Sequence, residues 1–272
     1  MITRRAFVGG GAAAAAFGAR AMTTAGRMAM LCGRRRSAER WWGLCFEALE
    51  DGVTVNMQKT GSPPAVSLET SPDAIRWLPF DGDDGTTPVT LARAGDRVYF
   101  RAGPDGNGGL ATNASNFRKF VFQGSLAAFG SVMSLLDPTE PTFSFPESSS
   151  NGFRQLFHSC TSLTRMPDLP ATATKTASYA LMFYGCTSLR SAVLPNVAIS
   201  NFALTQMFAE CSALEDITVG WEKWPTATNM QNWVRNVAAT GTFRCPTALG
   251  TDATITRSVS RCPVGWTVVN TD

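Results

Sequence analysis

Apolar and polar positions repeat as whole phrases in the second half of the chain. LFHSCTSLTRMPDLP (156–170), MFYGCTSLRSAVLP (182–195) and MFAECSALEDITVG (207–220) align without gaps over their first half. Cys160, Cys186 and Cys211 fall 26 and 25 residues apart, in step with Phe157, Phe183 and Phe208 and with Leu163, Leu189 and Leu214. Within a unit, Met182 stands four residues and Phe183 three residues before Cys186, the spacing that puts side chains on one helical face. Gly185 then helps that helix to end, Leu189 to Leu194 can run extended, and Pro195 stops further pairing through its missing N–H. Each unit therefore predicts a helix of about two turns and a short strand, too little to bury an apolar face alone but enough when stacked on its neighbour. Pro170, Pro195 and Gly220 close successive units.

Upstream the texture changes. Val53–Met57, Ala65–Glu69 and Val89–Leu91 are alternating or β-branched, and turns at Thr60–Pro64 and Asp81–Gly85 divide them. Short strands at this spacing predict a β-sandwich-like domain. Leu91 to Arg101, with Tyr99 near its end, looks like the tyrosine corner of immunoglobulin-like sandwiches, and Trp77 is the expected core aromatic.

A period of 25–26 residues lies in the leucine-rich-repeat range. The unit M-F-x-G-C-T-S-L, followed by L-P and a Thr/Ala-rich connection, resembles the BspA-like leucine-rich repeats of bacterial surface and secreted proteins. Phe129–Leu136 looks like the segment that opens such an array. Asn232–Val234, Ala238–Phe243 and Cys262–Val268 look like its C-terminal cap. The third unit departs from the pattern, with Ser212-Ala213-Leu214 and no Leu-Pro ending, which puts the regularity of the last coil in question. With the resemblance covering about residues 117–272, the expected fold is α/β, a short leucine-rich-repeat solenoid preceded by a small β-sandwich-like (immunoglobulin-like) domain, or else by a β-rich N-terminal cap of the solenoid. The resemblance also implies binding or adhesion without catalysis.

Charge changes the picture at one end. Residues 1–40 hold eight arginines and one acid, Glu39, while the remainder is acidic on balance despite a formal net charge of +3 for the whole. An acidic body is not built for a phosphate backbone, so no nucleic-acid partner is expected. MITRRAFVGGGAAAAAFGARA has the charged start, mild apolar middle and small-x-small end of an export signal. Thr3-Arg4-Arg5-Ala6-Phe7-Val8 resembles a twin-arginine signal. No apolar run reaches the length of a transmembrane helix. The expected organisation is an export signal at 1–21, a basic linker at 22–43, the sandwich at 44–123, the solenoid at 124–228 and a cap at 229–272.

Candidate chemistry is sparse. His158, the single histidine, occupies the slot held by Tyr184 and Ala209 in the other copies, which marks a tolerant surface position. The acidic run at Asp81 to Gly85 lacks the Gly and acid that a calcium loop needs at its sixth and twelfth positions, where Thr86 and Ala92 stand. Asp105–Gly109 reads as a hairpin loop. No C-x₂-C pair exists, so neither zinc nor any other cofactor is expected. Cys160, Cys186 and Cys211, on successive packed helices, are too far apart to bridge and are expected to be buried free thiols. Cys245 and Cys262, flanked by turn-formers, are expected to close a loop in an oxidising compartment, and Cys32 could pair with Cys45. Trp221, Trp224 and Trp233 cluster where the array ends, either sealing its core or, for Trp221 and Trp224, contacting a ligand.

The expected function is extracellular or surface binding of a protein or glycan, with a structural spacer as one alternative. A glycoside hydrolase using carboxylates such as Asp168, Glu210, Glu215 or Asp216 is the other.

Overall fold

The computed structural model describes residues 42–81, 87–139 and 144–272. The expected export signal, Cys32 and most of the Asp81–Gly85 turn lie outside them. The described chain is almost entirely β-strand, turn and link, and among these residues no α-helix forms.

Two antiparallel layers come first. β1 (Cys45–Ala48), β3 (Leu68–Ser71), β4 (Leu78–Phe80), β6 (Arg97–Ala102) and β8 (Leu126–Phe129) lie in the order β4-β3-β6-β1-β8. β2 (Val53–Thr60), β5 (Val89–Leu91) and β7 (Phe117–Gln123) form the second sheet, ordered β5-β2-β7. Phe46 of β1 packs edge-on against Phe120 and Phe122 of β7 at 4.9 and 5.1 Å, and Phe100 of β6 meets Phe120 at 5.3 Å. Alternating residues of both sheets thus meet in one apolar layer, as strand pleating requires.

Several expectations change here. Trp77 is not the core aromatic. It precedes edge strand β4, whose Phe80 takes the buried position, and its ring lies under the Arg101 guanidinium at 4.2 Å. Tyr99 sits in mid-strand, paired with Cys45 on one side and Ser71 on the other. Asp105–Gly109 is not a hairpin loop, because β6 and β7 belong to different sheets. Asn107 fixes that crossing. Its side chain accepts from Ser67 N–H and donates to the Ser67 and Leu135 carbonyls, each at 2.9 Å.

The sandwich runs directly into the repeats. β8, expected in the solenoid, lies in the sandwich sheet between β1 and β9 (Leu163–Arg165), and pairs with β9 in parallel. Farther on, β10 (Ser191–Leu194), β11 (Asp216–Val219), β12 (Thr242–Cys245) and β13 (Thr267–Asn270) form a parallel sheet in sequence order. β11 keeps full register with β10 despite the missing Leu-Pro, because Val219 fills the buried place of Leu194. Residues 229–272, read as a cap, continue this β-solenoid through β12 and β13.

The expected helix of each unit is a different object. Its N–H groups alternate between two kinds of partner. Gln155, Phe157 and Ser159 donate to Ala180, Met182 and Tyr184 of the next coil at 3.1, 2.9 and 2.7 Å. Leu156, His158 and Cys160 donate three residues back, to Phe153, Gln155 and Phe157. The same alternation recurs at 181–186 and 206–211. One residue in four takes a positive φ: Gln155 and Ser159, Leu181 and Gly185, Gln206 and Glu210. The result is a ribbon of β-turns whose backbone bonds outward. The α/β assignment is thereby corrected to β. The misreading has a simple cause: a four-residue turn repeat places apolar residues at i, i+3, i+4 and i+7, as Tyr179, Met182, Phe183 and Cys186 show, and so does an α-helix.

Candidate functional site

The repeated residues form the interior. Phe157, Cys160, Leu163, Phe183, Cys186, Leu189, Phe208, Cys211 and Leu214 are all buried. Phe120 of β7, Phe157, Phe183 and Phe208 stack face to face at 5.4, 5.2 and 5.5 Å, and Trp233 closes the column edge-on at 6.0 Å. Each repeat thiol donates to the carbonyl of the preceding ring residue: Cys160 to Phe120, Cys186 to Phe157 and Cys211 to Phe183, at 3.2, 3.1 and 3.0 Å. Burial pushes Cys160 and Cys186 far up and Cys211 up to about 12, so none offers a thiolate nucleophile.

Cys245 and Cys262 form no bridge. Both are buried free thiols, turned to separate carbonyls, Gly250 for Cys245 and Pro263 for Cys262, each at 3.6 Å. Among the described residues no group of three or more His, Cys, Asp and Glu side chains could hold a metal ion. His158 stacks on Tyr184 at 5.0 Å, and its Nδ1 meets the Ser159 hydroxyl at 2.9 Å. Burial, with Lys119 nearby, lowers its pKa, which keeps the ring neutral.

The carboxylates suggested for hydrolysis are spread along the stack. Glu210 pairs with Arg235 at 2.9 Å, Asp216 with Arg244 at 3.1 Å and Glu215 with Arg190 at 3.5 Å, each pair crossing from one coil to the next. Hydrogen bonds from Asn236, then Arg235, hold Glu210 below the usual carboxylate range. Asp168 is half-buried, and burial raises its pKa. Three of these four groups therefore join coils.

Among the described residues a concave feature lies at the link side, where the chain leaves β10 and β11. The links after β9 and β10 are laced together: Ser200 N–H donates to Thr174 Oγ1 at 2.7 Å and Thr174 N–H to the Ala198 carbonyl at 2.9 Å. The next pair of links parts. Gly220 N–H reaches the Leu194 carbonyl at 2.9 Å, and farther on Asn229 Nδ2 donates to the Ile199 carbonyl at 2.9 Å. Between these two ties opens a cleft of about 260 Å³, walled by Val197, Ile199, Trp221, Trp224 and Pro225, with Asn196, Lys223, Thr226 and Asn229 as its polar lining.

Trp221 is only 2% exposed and meets Trp224 and Trp233 at 6.3 and 5.5 Å. It seals the core, one of the two roles considered for the tryptophan cluster, and it also lines the cleft. Trp224 is half-buried, stacked on Phe243 at 5.8 Å with the Arg261 guanidinium 5.4 Å from its ring centre. Sequence reasoning found the two tryptophans but missed Asn196, Val197, Ile199 and Asn229. These lie in non-repeating links, and only the three-dimensional stacking brings them together.

Among the described residues no helix is long and apolar enough to cross a membrane. No protein-family model, no curated protein and no solved structure matches the chain.

Proposed function

We propose that this chain is a non-catalytic binding protein, exported to the cell surface or beyond, that recognises a glycan or protein through the link side of its β-solenoid. The observation that carries the reading is the cleft between the links of β10 and β11, with aromatic walls and amide and hydroxyl groups at its edge. A concave site of this composition, on a rigid stack, suits ligand capture. The engagement of Glu210, Glu215 and Asp216 in ion pairs between coils further supports binding over hydrolysis. So does the resemblance of the repeat unit to BspA-like leucine-rich repeats, and the twin-arginine-like start supports export.

The test is an array of glycans and extracellular proteins probed with the purified chain. Saturable binding that weakens when Trp224→Ala and Asn196→Ala are combined is the expected result. Silence across the array, or binding indifferent to the double variant, would remove the cleft from consideration.

A further inference from the structure

The cleft carries charge of one sign. No Asp or Glu lines it, although the chain beyond residue 40 is acidic on balance, and Lys223 is its ionic group. Lys223 is exposed, and among the described residues no carboxylate pairs with it. Its neighbour Glu222 is exposed too but stays outside the lining. Elsewhere on the stack Arg190, Arg235 and Arg244 are each taken up by an acid of the adjoining coil. A second cation stands against the cleft wall. Arg261 lies over the Trp224 ring, donates to the Ser260 carbonyl at 3.1 Å and meets no acid among the described residues.

The groups open to solvent decide what can bind. Lys223, Asn196 and Thr226 are exposed, and Trp224, Pro225, Val197 and Ile199 are half-buried. Trp221 and Asn229 are buried, and Asn229 is committed to its tie with Ile199, so both serve as framework. Trp224 and Pro225 give an apolar surface for the C–H face of a sugar ring, and the Asn196 amide can both donate to and accept from hydroxyls. The Lys223 ammonium donates three times and accepts nothing, so its partner is a group that only accepts. A carboxylate meets that need with one charge. Because Lys223 is exposed, the pair stays hydrated and escapes the penalty of burying ions. At about 260 Å³ the cleft suits a single ring of a chain lying across it.

We infer that the cleft binds an acidic polysaccharide through a uronic acid residue. The sugar ring lies against Trp224 and Pro225, its hydroxyls meet Asn196, and its carboxylate accepts from Lys223. This rests on the binding role proposed above and names its ligand class.

The test is calorimetric titration of the full chain with glucuronate and galacturonate oligomers, against the same oligomers with each carboxylate reduced to a hydroxymethyl group. The expected result is tighter binding of the acidic forms, a preference that fades at high salt. Lys223→Gln should weaken binding of the acidic forms about three- to fivefold, leave the reduced forms unaffected and keep the melting temperature of the parent. Lys119→Gln, which removes the same charge from the sandwich, should change neither. Equal binding of the reduced oligomers, affinity unchanged in Lys223→Gln, or an equal loss in Lys119→Gln would overturn the inference and leave a glycan-binding role standing. Capture of poly-glutamate as tight as that of the uronates would overturn it in favour of an acidic protein partner. Failure to bind any glycan or extracellular protein would overturn both proposals.

Discussion

The repeat cysteine acts at the residue scale as a donor aimed backwards along the array. Its thiol occupies a small buried space and adds a second donor to a carbonyl that, at Phe157 and Phe183, already accepts a backbone N–H of its own turn, which a serine could also do and an alanine could not. Cys211 and Cys262 are both pushed up to about 12, whereas an unfolded thiol titrates near 8.5. The native state therefore keeps protons that the unfolded state releases above about pH 8.5. Stability from this source is fully present below that pH and declines as the pH rises towards 12. Denaturant midpoints measured from pH 7 to 10 should fall at the alkaline end, and iodoacetamide should leave Cys160, Cys186 and Cys211 unlabelled until the protein unfolds. The ring beside the thiol sets a second expectation. Phe183 is stacked on both faces, so Phe183→Ala should lower stability by about 3–5 kcal/mol in urea titrations.

The turn ribbon is the element that sequence reasoning missed, and the reason is instructive. Its apolar positions were readable in Met182, Phe183 and Cys186, but their spacing belongs equally to a helix and to a four-residue turn repeat. What separates the two is the backbone at every fourth residue. Glycine would have marked that position, yet only Gly185 does so; Gln155, Leu181, Gln206 and Glu210 adopt positive φ without it. The N–H of each donates to a carbonyl of the next coil, Gln155 to Ala180, Leu181 to Thr205, Gln206 to Gln231 and Glu210 to Arg235, which holds them there.

Two glycines should then respond differently to alanine. Gly185 has φ +70° but open space, with the nearest atom 3.6 Å from a built Cβ, so Gly185→Ala should cost about 1–2 kcal/mol for the backbone alone. At Gly220 a Cβ would stand 2.6 Å from the Asn196 backbone nitrogen. Gly220→Ala should cost more and should also distort the cleft, since Asn196 lines it. Urea titration of the two variants compares the costs directly. The strands were more legible than the ribbon: Leu189 to Leu194 and the β-branched runs at 53–57 and 89–91 all contain strands, because pleated alternation has fewer imitators.

Across the whole molecule, the division into sandwich and solenoid follows the sequence texture better than it follows the contacts. β8 and β9 join the parts in one sheet, Phe120 begins the aromatic column, and a single apolar cluster runs from Leu44 to Val268. Residues 124–272 alone would expose β8 where β1 covers it. That fragment should be insoluble or unfolded by circular dichroism, while the longer chain should melt in one transition.

Two of the sheet edges are also managed. β4 carries Pro79, which has no N–H to offer, and at the far end Asp252 Oδ1 accepts the Val268 N–H of β13 at 2.9 Å while Arg257 holds the carboxylate at 2.7 Å. Asp252→Ala should free that edge and give concentration-dependent self-association in sedimentation velocity runs, which the parent chain should lack. None of this edge chemistry was visible in the sequence, because Asp252 lies in a link and acts on a strand 16 residues away.

The stacking rule has a consequence for how such a chain can change over generations. Phe120 already receives from the first coil what Phe157 and Phe183 receive from the coils after them, a thiol on its carbonyl and a ring against its face. A coil duplicated within the gene would arrive with the same carbonyls to offer and the same seat to fill. The array can therefore lengthen or shorten by whole phrases while the sandwich that starts it stays unaltered, and every new junction between links is a fresh place for a binding cleft to arise.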